Sequence, residues 1–386
     1  MTSAAVHSRS LALGGLVAMA AAVGIGRFVY TPILPPMTAA LGMPKATAGF
    51  IASANFLGYL TGALLAATPF VPGSRRTGLV AALAVSALTT GAMGLASSTA
   101  AFLVLRFVGG VASAFALVFA SALVLDRLAA AGRSELSAVH FGGVGTGIAI
   151  SAALVSTLMR LGLGWRALWL ASGGVGLIAL AVVPALVPDR REATAAAAGA
   201  GPKPRGLASL VVAYGLFGFG YVITATFLVT IVRGSPDVRP LEPIVWIVVG
   251  LTAIPSVALW TWAGRRVGIA RAFALACVLE ALGVAASVLW ITTPGILLAA
   301  ALLGGTFMGL TALGLIQAQQ HASGDPRRTL AIMTAAFGFG QIVGPAVAGV
   351  VYDATGSFVA PSLAAVVALL IGAGLVTVNG ARDNTP

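Results

Sequence analysis

The chain has 386 residues, of which 8% are charged and 59% hydrophobic, and its mean hydropathy is +1.02. Soluble domains carry about 25% charged residues, so these figures argue against a water-soluble globular protein, a disordered chain and a coiled coil alike. The net charge of +12 would suit a nucleic-acid binder, but no block of five or six like charges occurs and no aromatic residues interleave with basic ones.

The expected class is therefore an all-α integral membrane protein whose partner is the lipid bilayer. A span needs about 20 mostly apolar residues. Twelve such runs occur, at 11–37, 46–67, 78–97, 101–125, 135–159, 166–187, 207–231, 243–262, 271–291, 295–318, 329–352 and 358–380. The first run follows His7 and Arg9 and contains Ala18-Met19-Ala20, which imitates a cleaved signal peptide. It continues past Ala22 to Pro36 with only Arg27 interrupting, so it reads as a retained span. Turn-like or charged breaks follow at Pro72-Gly73-Ser74-Arg75-Arg76, Gly264-Arg265-Arg266 and Gly324-Asp325-Pro326-Arg327-Arg328. Pro255 and Pro345 fall inside spans and are candidate bends.

Sorting the 22 basic residues by position gives an orientation. With the N-terminus inside, fifteen fall on cytoplasmic segments and five (Lys45, Arg160, Arg166, Arg233 and Arg239) on outer loops. This bias predicts a multi-pass protein of a bacterial-type inner membrane with both termini cytoplasmic. The two remaining cations, Arg27 and Arg106, lie within spans.

The longest polar connection, 188–206, divides the chain into an N-terminal six-span unit at 1–187 and a C-terminal one at 207–386. Gly24-Ile25-Gly26 echoes Gly218-Phe219-Gly220, Arg75-Arg76 echoes Arg265-Arg266, and Phe141-Gly142 echoes Phe337-Gly338, in order and at nearly constant offset. Such duplication is typical of secondary transporters, whose substrate site lies at the repeat interface. No Gly-Lys-Ser or Gly-Lys-Thr phosphate loop is present, so direct ATP drive is not expected. The single Cys277 and three scattered histidines offer no metal or cofactor site, and one buried acid offers no catalytic dyad, so an enzyme is not expected.

The chain resembles the major facilitator superfamily. Arg106 with Gly109-Gly110 in span 4 resembles that superfamily's span-4 arginine motif. Gly338-Phe339-Gly340-Gln341-Ile342-Val343-Gly344-Pro345 resembles the Gly-Pro motif of antiporters, here in span 11 where span 5 is usual. The loop after span 2 keeps Arg75-Arg76 but lacks the customary Asp. The stretches from Gly24 to Pro32 and from Tyr214 to Tyr221 look like the YbfB/YjiJ branch. The resemblance implies two pseudo-symmetric six-helix bundles, with spans 1, 4, 7 and 10 lining a central cavity and spans 3, 6, 9 and 12 outside.

Ionisable groups inside a membrane are costly and mark function by default. Arg27 and Arg106 together would hold an anionic group of a small-molecule substrate. Tyr30, Tyr221 and Gln341 are candidate lining, and Glu280 and His140 are candidate proton carriers. Asp126 among Arg75, Arg76 and Arg127 is a candidate inner gate. With Glu280 ionised the buried charge is +1, leaving room for one negative ligand group. The expected function is alternating-access transport of a small organic solute by a monomer. Proton-coupled export is favoured by the Gly-Pro motif and the Glu280/His140 candidates. Proton-linked import or uncoupled facilitation of an organic anion is favoured by the Arg pair.

Overall fold

The structure, a computed structural model, describes residues 3–66, 68, 74–188, 207–320 and 326–382. Most of the central connection expected at 188–206 lies outside the described residues, with its Arg190, Arg191, Lys203 and Arg205, and so do the turns expected at Pro72-Gly73 and Gly324-Asp325. Fourteen α-helices are described and no strand among these residues. In chain order they are α1 Ser3–Met19, α2 Tyr30–Leu41, α3 Lys45–Ala66, α4 Arg75–Ala92, α5 Thr99–Ala130, α6 Ser137–Arg160, α7 Trp165–Leu186, α8 Leu207–Gly234, α9 Glu242–Ala253, α10 Ser256–Val267, α11 Ile269–Leu289, α12 Thr293–Gln320, α13 Pro326–Thr355 and α14 Val359–Arg382.

These helices reproduce the expected spans, with two spans broken. Span 1 consists of α1, a π-helical turn at Ala20–Ile25 and α2. Span 8 consists of α9 and α10, bent by 44° at Pro255, which cannot donate the hydrogen bond that would carry α9 through. Pro345 behaves differently, since α13 runs unbroken past it. Among the described residues ten helical stretches are long and apolar enough to cross a membrane, eleven with the bent pair as one span. The third expected span is present as α4, 18 residues long, but its two arginines and four hydroxyls keep it below that apolarity.

Short connections make successive spans alternate in direction; the end of the bundle with the start of α1 and the end of α14 is called the terminal face and the opposite end the far face. α1–α7 pack mainly among themselves and α8–α14 likewise. The two halves meet along α3 and α13, α6 and α9, and α2 and α8. Small residues allow the close approach that lipid-buried helices need. A methyl on Gly49 would lie 2.1 Å from the Pro345 carbonyl oxygen, and one on Gly349 would lie 2.2 Å from that of Lys45. In the α6–α9 seam Gly145 faces the backbone of Gly250 and Ile254.

Polar links across the seam cluster toward the far face. The Asp353 carboxylate at the end of α13 accepts from the backbone N–H groups of Lys45 (2.9 Å) and Ala46 (2.8 Å), capping the first turn of α3. Thr31 donates to the Ala225 carbonyl (2.7 Å), Ser156 to that of Pro243 (2.7 Å), and Ser53 to that of Ile342 (2.6 Å). The helices of spans 4 and 10, α5 and α12, do not pack on each other. The halves are thus latched at the far face. Removing a capping acid costs about 1 kcal/mol, a roughly fivefold ratio. Asp353→Ala should therefore shift the balance of far-closed to far-open molecules about fivefold. Distance distributions between spin labels on the far ends of α3 and α13 report that shift, and unchanged distributions refute the latch.

Candidate functional site

Span 1 loses regular helical geometry where Arg27 lies. Gly26 and Phe28 donate to carbonyls five residues back, at Ala21 (2.9 Å) and Val23 (3.3 Å). Pro32 has no N–H for the Phe28 carbonyl, and Thr31 takes that acceptor instead (3.3 Å). Thr31 therefore does not serve the Arg27 carbonyl, and Arg106 of α5 does: its two Nη atoms donate to the carbonyls of Gly26 (2.9 Å) and Arg27 (3.0 Å). Asn55 of α3 fixes this stretch of α5 through the Arg106 carbonyl (2.9 Å).

Arg106 is thus committed to main-chain oxygens, and its guanidinium faces Tyr30 and Trp169 at 5.1 and 6.0 Å from the ring centroids. Arg27 is not committed in this way. It is 6% exposed, and its Nε and Nη2 are buried without a hydrogen-bond partner. Aromatic faces surround it instead, with the guanidinium carbon 4.4 Å from the centroid of Tyr59, 4.6 Å from Phe56 and 5.4 Å from Phe28. Cation–π contacts give a desolvated guanidinium about 2 kcal/mol each at best and leave its N–H edge available. The two arginines expected to form a clamp are adjacent; Arg27 keeps two buried unpartnered nitrogens, whereas Arg106 keeps only its Nε.

Aromatic rings continue from this point into the other half. Phe28 meets Phe307 of α12 edge-on at 5.8 Å. Tyr221 of α8 stacks on Phe307 (5.7 Å, 11°) and on Phe337 of α13 (5.9 Å, 5°). The Tyr221 hydroxyl accepts a hydrogen bond from Nε2 of Gln341, whose Oε1 is buried without a partner. Tyr221 and Gln341 are thus brought together, and Tyr221 lies within electrostatic reach of Arg27. Tyr30 is placed differently, with its hydroxyl bonded to the Ala48 carbonyl (2.8 Å) and its ring against Arg106. A void of about 10 Å³, room for one water, lies among Phe28, Tyr221, Ala225 and Phe307.

Glu280 of α11 is fully buried, and neither carboxyl oxygen has a well-formed hydrogen bond. Thr306 beside it donates to the Leu302 carbonyl (2.7 Å). Glu280 lies within electrostatic range of Tyr221. His140 is in another place. It is fully buried near the terminal face between α1, α5 and α6, with Nε2 3.1 Å from the Ser121 hydroxyl and Nδ1 unpartnered. The two candidate proton carriers occupy opposite halves with no shared neighbours. Asp126 is 3.5 Å from Arg75 and both are largely exposed. Arg76 instead donates to the carbonyls of Val187 and Pro184 (2.9 Å each). All three gating candidates lie on the N-terminal half. Among the described residues no cluster of His, Cys, Asp and Glu suits a metal ion.

Sequence reasoning passed over Phe28, Phe56, Phe307 and Phe337, because an isolated Phe in a span is indistinguishable from lipid-facing residues. It also passed over Thr31 and Asp353, whose partners are backbone groups of the opposite half.

Two helical halves latched at one face around a buried, unpaired guanidinium define a membrane transporter rather than an enzyme. The chain belongs to the major facilitator superfamily: the family model described as "Uncharacterised MFS-type transporter YbfB" matches residues 19–377. Among solved structures it is similar to the nucleoside transporter NupG, with a TM-score of 0.72 at 15% identity over 98% of this chain and 100% of that one. A point mutant of NupG gives 0.70 at 16% identity over 97% and 98%. At this identity the likeness is one of fold. Among curated proteins, none matches the chain.

Proposed function

We propose that the protein carries a small organic anion by alternating access, with the anionic group held by the N–H edge of Arg27. The observation behind this reading is the buried guanidinium with two unpartnered donors. Natural proteins leave few buried polar atoms unsatisfied, and an unsatisfied cation at a half–half interface is suited to a ligand that completes it. The aromatic surroundings favour a substrate with a planar apolar body, an aromatic carboxylate such as benzoate being the simplest member. In the Gly-Pro stretch of span 11, on which the export reading rests, Pro345 meets Gly49 of α3, and Gly349 beyond it meets Lys45.

Charge balance gives the coupling. Empty, the site holds Arg27 positive and Glu280 negative. Loaded, an anion neutralises Arg27 and Glu280 takes a proton. Both states carry the same net charge, Arg106 adding a constant +1, so one proton accompanies one monoanion and transport is electroneutral. The terminal face, which carries Arg75, Arg76, Arg127, Arg265 and Arg266, is the cytoplasmic one. The site then opens to the cytoplasm when the far face is latched.

Proteoliposomes test this. Benzoate uptake should accelerate with an acidic exterior and ignore a potassium-diffusion potential. Glu280→Gln should abolish the response to pH while leaving benzoate exchange intact. A Glu280→Gln protein that still follows the pH gradient removes the proton role, and uptake that follows the potential removes the stoichiometry.

A further inference from the structure

A second cavity, of about 280 Å³, opens toward the far face, with one of the latch hydrogen bonds, Ser156 to Pro243, in its wall. Both halves line it: Pro32 of α2 and Met159 and Arg160 of α6 from one, Val229 of α8 and Arg239 and Glu242 from the other. The Thr31–Ala225 hydrogen bond lies next to it in both halves, since Pro32 follows Thr31 and Val229 lies one turn beyond Ala225. The water-sized void touches Ala225 and also Phe28, the residue after Arg27, which lies one turn before Thr31. The cavity, the void and the Arg27 site therefore follow one another along the boundary between the halves.

The charges at this cavity are unevenly used. Of the five basic residues expected on this face, Arg166 is spent on the carbonyls of Gly94 and Ala96 (3.0 and 3.3 Å). Lys45 reaches the Thr38 hydroxyl (3.4 Å). Arg233 is paired with Glu242 at 3.2 Å, which also neutralises the one acid in the lining. Arg160 and Arg239 make no hydrogen bond among the described residues, although Arg239 is within electrostatic reach of Glu242, and the two line one cavity from opposite halves. The volume is close to the lower end of ligand pockets, about 300 Å³, and the apolar walls of Met159, Val155, Val229 and Pro32 suit a small hydrophobic body.

We propose that this cavity is a vestibular binding site for a small organic carboxylate, its anionic group bridging Arg160 and Arg239. The identity of the ligand class rests on the anion reading of Arg27; the site itself does not. Because the ligand would join the two halves beside the latch, it favours the far-closed state, and the same anion waits there before or after passing Arg27.

Benzoate titration of the full-length protein in phosphatidylcholine nanodiscs tests this by stoichiometry. The wild type should bind two molecules. The double variant Arg160→Gln/Arg239→Gln should lose one site, its affinity falling at least about tenfold as expected for lost charged hydrogen bonds. Arg166→Gln, on the same face, should keep both. Arg27→Gln should lose the other site and keep the vestibular one. A single site removed by the double variant alone supports the vestibule and defeats the carrier reading. No binding, or full binding by the double variant, overturns the vestibule. So does loss of this site in phosphatidylglycerol nanodiscs, which would assign the arginines to a lipid phosphate.

Discussion

Arg27→Gln should reduce saturable benzoate uptake by about 100-fold while leaving the protein folded at wild-type yield. Charged hydrogen bonds contribute about 1.5–3 kcal/mol each, and two free donors on one edge are available to a carboxylate. The same variant should raise the thermal midpoint, because a buried guanidinium with no carboxylate hydrogen-bonded to it is a cost to the empty protein, about 2.5–3.5 kcal/mol by insertion scales. Gain of stability with loss of transport is the signature of a group kept for function. Arg27→Lys should recover little, since an ammonium replaces the planar donor edge with a point charge and stacks less well between Phe56 and Tyr59. Uptake within twofold of wild type in Arg27→Gln refutes the site.

The second large effect is expected at Gly49. Its added methyl would meet main chain at Pro345, which cannot move aside as a flexible side chain could. Overpacking of this kind costs about 1–3 kcal/mol, and the cost applies only where α3 and α13 touch. Gly49→Ala should therefore move the population toward far-open molecules by about 5- to 150-fold. The measurement is alkylation of Ala225→Cys in a Cys277→Ala background by a membrane-impermeant maleimide added at the far face. Ala225 is buried beneath the latch, so its labelling rate follows opening. An unchanged rate shows that the α3–α13 contact does not close the far face.

The spans could be read from the sequence because each is a long apolar run with turn residues or charges at its ends. The run expected at 46–67 is the helix Lys45–Ala66, and that at 207–231 is Leu207–Gly234. The bend at Pro255 was legible for a similar reason, a missing donor in mid-helix. Pro345 carries the same signal yet lies in an unbroken helix, so a proline marks where a bend is permitted rather than where one occurs.

The candidate site was legible in its residues but not in its division of labour. Arg27 and Arg106 look alike as lone cations in spans. Only the hydrogen-bond pattern of span 1 distinguishes them, by freeing main-chain carbonyls that Arg106 takes up. Main-chain acceptors leave no trace in residue identity. Glu280 was correctly singled out as buried, but its relation to Tyr221 depends on how α8, α11 and α12 pack.

The π turn at Ala20–Ile25 adds about one residue to a single turn of span 1. Each residue of a regular helix rotates the side chain by about 100°. The azimuth of Arg27 is therefore counted from the bulge and not from the start of the span. Deleting one alanine from Ala20-Ala21-Ala22 would leave the apolar length of the span nearly unchanged, yet it would restore regular winding and rotate the guanidinium out of its ring of aromatic faces. The electrical address of the carrier's central charge is written in a one-residue insertion among alanines. Related chains can gain or lose such a site by an insertion or deletion of one codon, without any change to the arginine itself.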